Sequence, residues 1–199
     1  QKVTVHGPMS QCQQPEPSAA MSLRAALAGL VSAIAVLAPA PLLAQAPDKE
    51  EPAVICQDEA TPPPARIAAC SKIIDDTARP APERAEALIT RGALHDDAER
   101  PDAAIKDLTA ALAIAPNDAT ALLLRGNVYY AKGDLDAALA DYSAGIAASP
   151  EDAAGYFNRA IVHEAKGDKA KAVADYRKAL EIDPAFEEAK AALDELEGK

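Results

Sequence analysis

The chain has 199 residues, a formal net charge of −11 at pH 7, no tryptophan and two phenylalanines. A length of this order fits one domain with additional segments. The acidic balance argues against nucleic-acid binding, which needs clustered lysine and arginine. The scarcity of large aromatic residues argues against a β-sandwich or a deep ligand-binding barrel.

Residues 21–46 are predicted to be a signal peptide. A short basic start, Met21–Arg24, precedes the apolar run Ala25–Ala38. That run has signal-peptide length and is too short to span a bilayer comfortably. The alternative interpretation is an uncleaved anchor. Residues 1–20 are predicted to be an upstream tail without native structure.

Small residues after the apolar run indicate where cleavage would occur. Cleavage after Ala44 or Ala46 would start the mature chain at Gln45 or Pro47. The first position is favoured because Pro47 would directly follow the second. The predicted location is the periplasm, with secretion as the alternative.

A proline-rich and acidic segment, 47–64, is predicted to be a flexible lead. Pro62–Pro64 at its end cannot occupy a helix interior. Residues 65–82 are predicted to form a degenerate N-terminal half-repeat. Its helix should cover Ala65–Asp76, because apolar residues recur on one face of that segment.

Two cysteines, Cys56 and Cys70, remain after the predicted cleavage. An even number of cysteines in an exported chain favours a disulfide bond between them. The alternative is one buried and one free thiol.

A block of 34 residues repeats three times without a gap, over 83–116, 117–150 and 151–184. Each block ends in proline, and large and small residues recur at fixed offsets within it. This period is typical of a solenoid of helix–turn–helix units. A C-terminal capping helix is predicted within 185–199. Paired helices are expected near 84–97 and 102–114, 119–131 and 136–148, and 153–165 and 170–182.

The turn inside each repeat distinguishes the first repeat from the others. Gly133-Asp134 and Gly167-Asp168 supply a glycine for a left-handed turn and an aspartate that caps the next helix. Glu99-Arg100 stands at this place in the first repeat. We therefore expect the first repeat to be the least stable.

The repeated residues resemble the tetratricopeptide repeat family. The run Leu122-x-x-Arg125-Gly126-x-x-Tyr129 is similar to the family's large–leucine–glycine–tyrosine signature, with arginine in place of leucine. The resemblance implies an all-α solenoid of three full repeats with a partial N-terminal cap and a C-terminal capping helix. The segment from Cys56 to Cys70 resembles N-terminal caps of exported bacterial repeat proteins.

The resemblance implies a non-catalytic protein that binds a protein or peptide in a concave groove lined by the first helix of each repeat. The groove should be apolar in the middle with acidic edges, and should suit an apolar or basic segment. The alternative is that its residues pack only against one another or a terminal extension. The positions expected to contact a partner are Ile89, Leu123, Asn127, Tyr130, Phe157, Ile161 and Glu164, with Ala93 and Asp96 completing the columns.

Three arginines with period 34 are each followed sixteen residues later by an aspartate. Since a partly buried charge needs a partner, we expect structural ion pairs between the two. The alternative is that the arginines anchor a ligand. The pairs are Arg91 with Asp107, Arg125 with Asp141, and Arg159 with Asp175.

No catalytic, cofactor or metal site is predicted. His95 and His163 occupy the place of Tyr129 in their repeats but lie two repeats apart, so they cannot share a ligand. The predicted function is that of an exported adaptor without enzymatic activity, and without a membrane span after cleavage. The protein is expected to be a monomer or weak homo-oligomer. The alternative is a self-associating structural subunit of a cell-envelope assembly.

Overall fold

In the computed structural model, residues 51–198 are described, and within them the chain forms α-helices and no β-strand. The predicted signal peptide and upstream tail lie outside this part. The helices are α1 Pro52–Gln57, α2 Pro63–Asp75, α3 Ala81–Asp97, α4 Pro101–Ile114, α5 Ala119–Ala131, α6 Leu135–Ala148, α7 Ala153–Ala165, α8 Lys169–Ile182 and α9 Glu187–Glu197.

The helices are arranged as successive hairpins. α3 packs on α4, α5 on α6 and α7 on α8, and each hairpin packs on the next. The first helices also contact one another, α3 with α5 and α5 with α7. They therefore form one layer of the stack. The all-α solenoid predicted from the sequence is confirmed.

The close approach of the two helices in a hairpin explains the small residue in each repeat. A Cβ atom on Gly126 would lie 2.7 Å from Cε1 of Tyr142, and one on Gly92 would lie 2.9 Å from Cγ of Leu108. Leu108 and Tyr142 are almost completely buried, and burying such a side chain stabilises a fold by about 1.5–3 kcal/mol. The small residue thus lets the large residue of the second helix fill the core.

The turn inside each repeat has the same backbone path. The amides of Arg100, Asp134 and Asp168 each donate to a carbonyl five residues earlier, at distances of 2.8–2.9 Å. The residue before each amide has a positive φ, which is +79° at Gly133, +77° at Gly167 and +56° at Glu99. Glutamate thus occupies a conformation that glycine adopts more easily.

The N-terminal cap, formed by α1 and α2, differs from the prediction made from the sequence. The prediction of a flexible lead over 47–64 is wrong for residues 52–57, which form α1, whereas residues 47–50 lie outside the described part. Pro52 begins α1 and Pro63 begins α2, as proline can at the first positions of a helix. The cap is therefore a helical hairpin.

The predicted disulfide bond joins Cys56 on α1 to Cys70 on α2. Both cysteines are completely buried, in a cluster with Ala69 and Ile73 of α2 and Ala87 of α3. The bridge thus fixes a helix of only six residues against the rest of the stack.

The last helix covers the end of the third repeat. Ala189 of α9 is fully buried, while Leu193 and Leu196 pack beside Tyr176 in the same apolar cluster. No helix within residues 51–198 is both long and apolar enough to cross a membrane.

Candidate functional site

The layer formed by α3, α5 and α7 carries the predicted groove residues. Leu123, Asn127 and Tyr130 share one face of α5, since their spacing of four and three residues follows the helical turn. Tyr130 is 39% exposed, and is the one exposed large hydrophobic side chain in the described part. It is an apolar surface available to a partner.

Leu123 and Asn127 hold neighbouring helices together. A Cβ atom on Gly145 would lie 2.9 Å from Cδ2 of Leu123, so the leucine fits against α6 where no side chain projects. Oδ1 of Asn127 accepts hydrogen bonds from the Tyr142 hydroxyl at 2.8 Å and from Nδ2 of Asn158 at 3.2 Å. Asn127 therefore links the second repeat to the third.

Two adjoining clefts flank Ile89 at the N-terminal end of this layer. One, of about 330 Å³, lies between α3 and the end of α1 with the start of α2. The other, of about 400 Å³, extends from α3 to the start of α5. Both are lined by Gln57, Ile89 and Thr90, so we treat them as one surface, the N-terminal trough.

Charged residues of the N-terminal trough are mostly acidic. Its carboxylates are those of Glu59, Glu86, Asp97 and Asp118, and its one cation is Arg66. The Asp118 carboxylate caps α5 by accepting from the Ala121 amide at 2.8 Å. Burial raises the pKa of the nearby Asp96 carboxyl, and the charge of Asp97 raises it further.

The opposite end of the layer is covered by the chain itself. The ring of Phe157 lies 4.8 Å from that of Phe186 and 5.7 Å from that of Tyr176, centroid to centroid. Ile161 packs in the same cluster, and the Glu164 carboxylate accepts a hydrogen bond from the Tyr176 hydroxyl at 3.0 Å. These three predicted partner positions already have partners within the chain.

The structure brings each periodic arginine and aspartate together. Every pair has two hydrogen bonds of 2.7–2.8 Å, from Nε and Nη2 of the arginine to the two carboxylate oxygens. Asp107, Asp141 and Asp175 are only 4–8% exposed. The hydrogen bond to the aspartate raises the pKa of each arginine, so each guanidinium is held in its charged form.

A third bond connects each arginine to the preceding helical hairpin. In each case Nη1 of the arginine donates to a side-chain hydroxyl. The distances are 2.8 Å from Arg91 to Ser71, 3.1 Å from Arg125 to Thr109 and 3.3 Å from Arg159 to Ser143. Sequence reasoning missed these hydroxyl partners because Ser71 is out of register with the other two. Protein groups accept hydrogen bonds from all three guanidinium nitrogens of each arginine. Each arginine therefore links its repeat to the preceding hairpin, and this geometry does not support the alternative that the arginines anchor a ligand.

Both histidines lie beside the buried ion pairs. Nε2 of His95 is 3.8 Å from Asp107 and Nε2 of His163 is 3.9 Å from Asp175. Burial lowers the pKa of each imidazole, and the adjacent aspartate opposes that effect. Nδ1 of His95 is buried without a hydrogen-bond partner. Within residues 51–198, no group of three or more His, Cys, Asp or Glu side chains is placed to hold a metal ion.

Comparison with known proteins agrees with this architecture. The family model described as "Tetratricopeptide repeat" matches residues 89–153 and 123–185. No curated protein sequence matches the chain. Helical hairpins of 34 residues stacked in register define an α-solenoid whose first helices form one layer. The chain belongs to the tetratricopeptide repeat family through this repeat region.

Solved structures share the fold at low sequence identity. One, described as the crystal structure of MamA, has a TM-score of 0.62 and 22% identity, over 67% of this chain and 76% of that one. The first tetratricopeptide domain of Spaghetti (RPAP3), bound to the HSP90 peptide SRMEEVD, has a TM-score of 0.56 and 22% identity, over 57% and 93%. YrrB, described as having an unusual peptide-binding site, has a TM-score of 0.57 and 22% identity, over 65% of each chain.

Proposed function

We propose that this protein is a non-catalytic adaptor that binds a segment of a partner protein along the layer formed by α3, α5 and α7. The observation that carries the proposal is Tyr130, an exposed aromatic side chain on that layer. Exposed aromatic side chains rimmed by polar groups are frequent anchors of protein interfaces. Peptide binding by RPAP3 and YrrB, which share the fold, supports the same role.

The binding surface in this proposal runs from the N-terminal trough to Tyr130. Ile89 and Tyr130 offer apolar contacts there, and Leu123 and Asn127 fix the helices that carry them. Phe157, Ile161 and Glu164 lie at the end that α9 and Phe186 cover. We therefore assign these three residues a supporting role and give direct contact to the first two repeats.

Selection of peptides on the immobilised protein tests this function. Linear peptides from a random nine-residue library should be enriched on the full chain and bind less to a Tyr130→Ser variant. Glu181→Gln, at an exposed site on α8, provides a matched surface control. Absence of enrichment, or equal binding by Tyr130→Ser, would contradict the proposal.

We also propose that the adaptor works outside the cytoplasm, in the periplasm. The apolar run Ala25–Ala38 in the sequence and the buried Cys56–Cys70 bridge support export, because disulfide bonds persist in oxidising compartments. Cell fractionation followed by N-terminal sequencing should find a mature chain that begins near Gln45 or Pro47. A chain that still contains Met21 would contradict cleavage.

A further inference from the structure

We propose that the N-terminal trough binds a basic segment: an extended stretch with an apolar side chain against Ile89 and lysine or arginine beside it. This inference rests on the proposed function, because it specifies the chemistry of the segment bound and the end of the groove where it binds.

The shape of the trough suits a single apolar side chain. Ile89 and Ala93 of α3 provide an apolar patch, and Thr90 and Gln57 beside them can exchange hydrogen bonds with a peptide backbone. The two clefts are open to solvent and have volumes of about 330 and 400 Å³, which leaves room for a side chain. A partner can therefore insert a side chain there without displacing a helix.

The negative charge of the trough favours basic residues beside that apolar side chain in the bound segment. Glu86 and Asp97 are exposed, and neither carboxylate forms a hydrogen bond or ion pair with another described residue. By contrast, Asp102 and Asp136, which are also exposed, lie on the second helices and pair with Lys132 and Lys166. Like charges gathered around a cleft create a potential that attracts the opposite charge.

The single cation of the trough does not cancel this potential. Nε of Arg66 donates to the Cys56 carbonyl at 3.1 Å, so its guanidinium is fixed at the α1 side. Three negative charges remain uncompensated once Arg66 is set against the four carboxylates. An acidic peptide would meet repulsion here, whereas a lysine or arginine would gain an ion pair at each side.

The other end of the groove cannot offer an equivalent site. Phe186 covers Phe157, and Tyr176 occupies the Glu164 carboxylate. The open, charged part of the layer is therefore the N-terminal trough.

The test uses the full chain and peptides selected from the nine-residue library. Peptides that bind should carry lysine or arginine next to an apolar residue and a net positive charge. SRMEEVD, whose three acidic residues outnumber its one arginine, should not bind. In a methyl-labelled sample, the Ile89 δ1 methyl signal should shift on titration while that of Ile161 stays in place. Raising NaCl from 0.05 to 0.5 M should weaken binding, because exposed charges are screened.

Charge-neutral variants isolate the role of the acids. Glu86→Gln combined with Asp97→Asn should weaken binding of a selected basic peptide about three- to tenfold, from the loss of two exposed ion pairs. Glu187→Gln combined with Glu188→Gln removes the same charge from exposed sites at the start of α9 and should leave binding unchanged.

The outcomes separate this inference from the proposed function. If the selected peptides lack basic residues, or shift Ile161 and leave Ile89 unmoved, the inference is overturned and the adaptor function stands. If the two double variants bind equally well, the charge argument fails in the same way. If no peptide is selected, both fail.

Discussion

Three buried aspartates impose the strictest demand on individual residues in this protein. A carboxylate that is 4–8% exposed has lost most of its hydration, and is tolerated only when its oxygens are fully hydrogen-bonded. Each receives two bonds from one arginine, which uses its remaining nitrogen on a hydroxyl of the preceding hairpin. The pair thereby joins three helices and specifies how one repeat meets the next.

Breaking the pair in the second repeat should be costly. Asp141→Ala leaves the Arg125 charge without its carboxylate in a site where the arginine side chain is 19% exposed. We expect a loss of about 3 kcal/mol in the free energy of unfolding, measured by urea denaturation. Asp136→Ala, at an exposed site on the same helix, should cost under about 1 kcal/mol.

A double-mutant cycle shows whether the two side chains act together. Arg125→Met combined with Asp141→Ala should destabilise less than the sum of the single changes, because Arg125→Met removes the charge that Asp141→Ala leaves unpaired. Additive losses would rule out the coupling.

His95 should make stability depend on pH. Burial lowers its pKa in the folded protein below the value of about 6.5 expected for the unfolded chain. Below pH 6.5 the unfolded chain therefore takes up a proton first, so the contribution of His95 is fully present above pH 6.5 and is lost as the pH falls. Arg91 and Arg100 add to the effect, while Asp107 opposes it.

Tyrosine is a suitable replacement for His95, because Tyr129 occupies the same position in the second repeat and tyrosine does not titrate in this pH range. His95→Tyr should reduce the loss of stability between pH 7.5 and 5.5, as measured by denaturation at each pH. His163 keeps its own contribution in both proteins. An unchanged slope in the variant would mean that His95 does not titrate differently on unfolding.

At the scale of whole elements, we expect the turn between α3 and α4 to be the weakest junction among the repeats. Its backbone path equals that of the other turns, but Glu99 supplies the positive φ and Arg100 gives α4 no side-chain cap. Asp134 and Asp168 cap α6 and α8 through bonds to Ala137 and Lys171. We expect the amides of α4 to exchange hydrogen faster than those of α6.

Exchanging glycine and glutamate between two turns tests this reasoning. Glu99→Gly should stabilise the protein by up to about 1 kcal/mol, since it relieves a left-handed non-glycine residue. Gly133→Glu should destabilise by a similar amount through backbone conformation, because a Cβ atom at this position would have no other atom within 4 Å. Thermal melts of both variants decide, and shifts of the same sign would refute the account.

The N-terminal cap should depend on its disulfide bond. Cys56 and Cys70 are 14 positions apart, and closing a loop of that size stabilises by about 3 kcal/mol in the chain-entropy model. A reducing agent should lower the melting temperature and increase hydrogen exchange in α1 and α2, leaving α6 to α8 little changed. The variant with both cysteines replaced by serine is the control, and should not respond to reductant.

For the molecule as a whole, the sequence predicted the periodic part, the disulfide bond and the capping helix, but it missed helix α1 and the position of Phe186. Three copies of one pattern place the helices of the repeats and bring each arginine to its aspartate. Helix α1 has six residues and begins at a proline, so no periodicity marks it, and its position depends on the Cys56–Cys70 bridge. Phe186 covers the groove because of the direction that the chain takes after the last repeat. The spacing of residues within the repeats does not determine that direction.

This last point changes what is expected of the two aromatic groove residues. Phe157 packs between Phe186 and Tyr176, so Phe157→Ala should lower the free energy of unfolding by about 2 kcal/mol, below the 3–5 kcal/mol of fully buried sites. Tyr130 is exposed, so Tyr130→Ala should change stability by less than about 1 kcal/mol. Its loss should instead weaken a selected peptide about tenfold, as expected for an interface anchor.

Stability and affinity measured on the same samples separate the two roles. Denaturation gives the folded fraction of each variant, and peptide affinity is then compared per folded molecule. Phe157→Ala should bind nearly as well as the unaltered protein once folded, while Tyr130→Ala should melt normally and bind poorly. The reverse pattern would place the anchor at Phe157 and require α9 to move away from the groove before a partner binds.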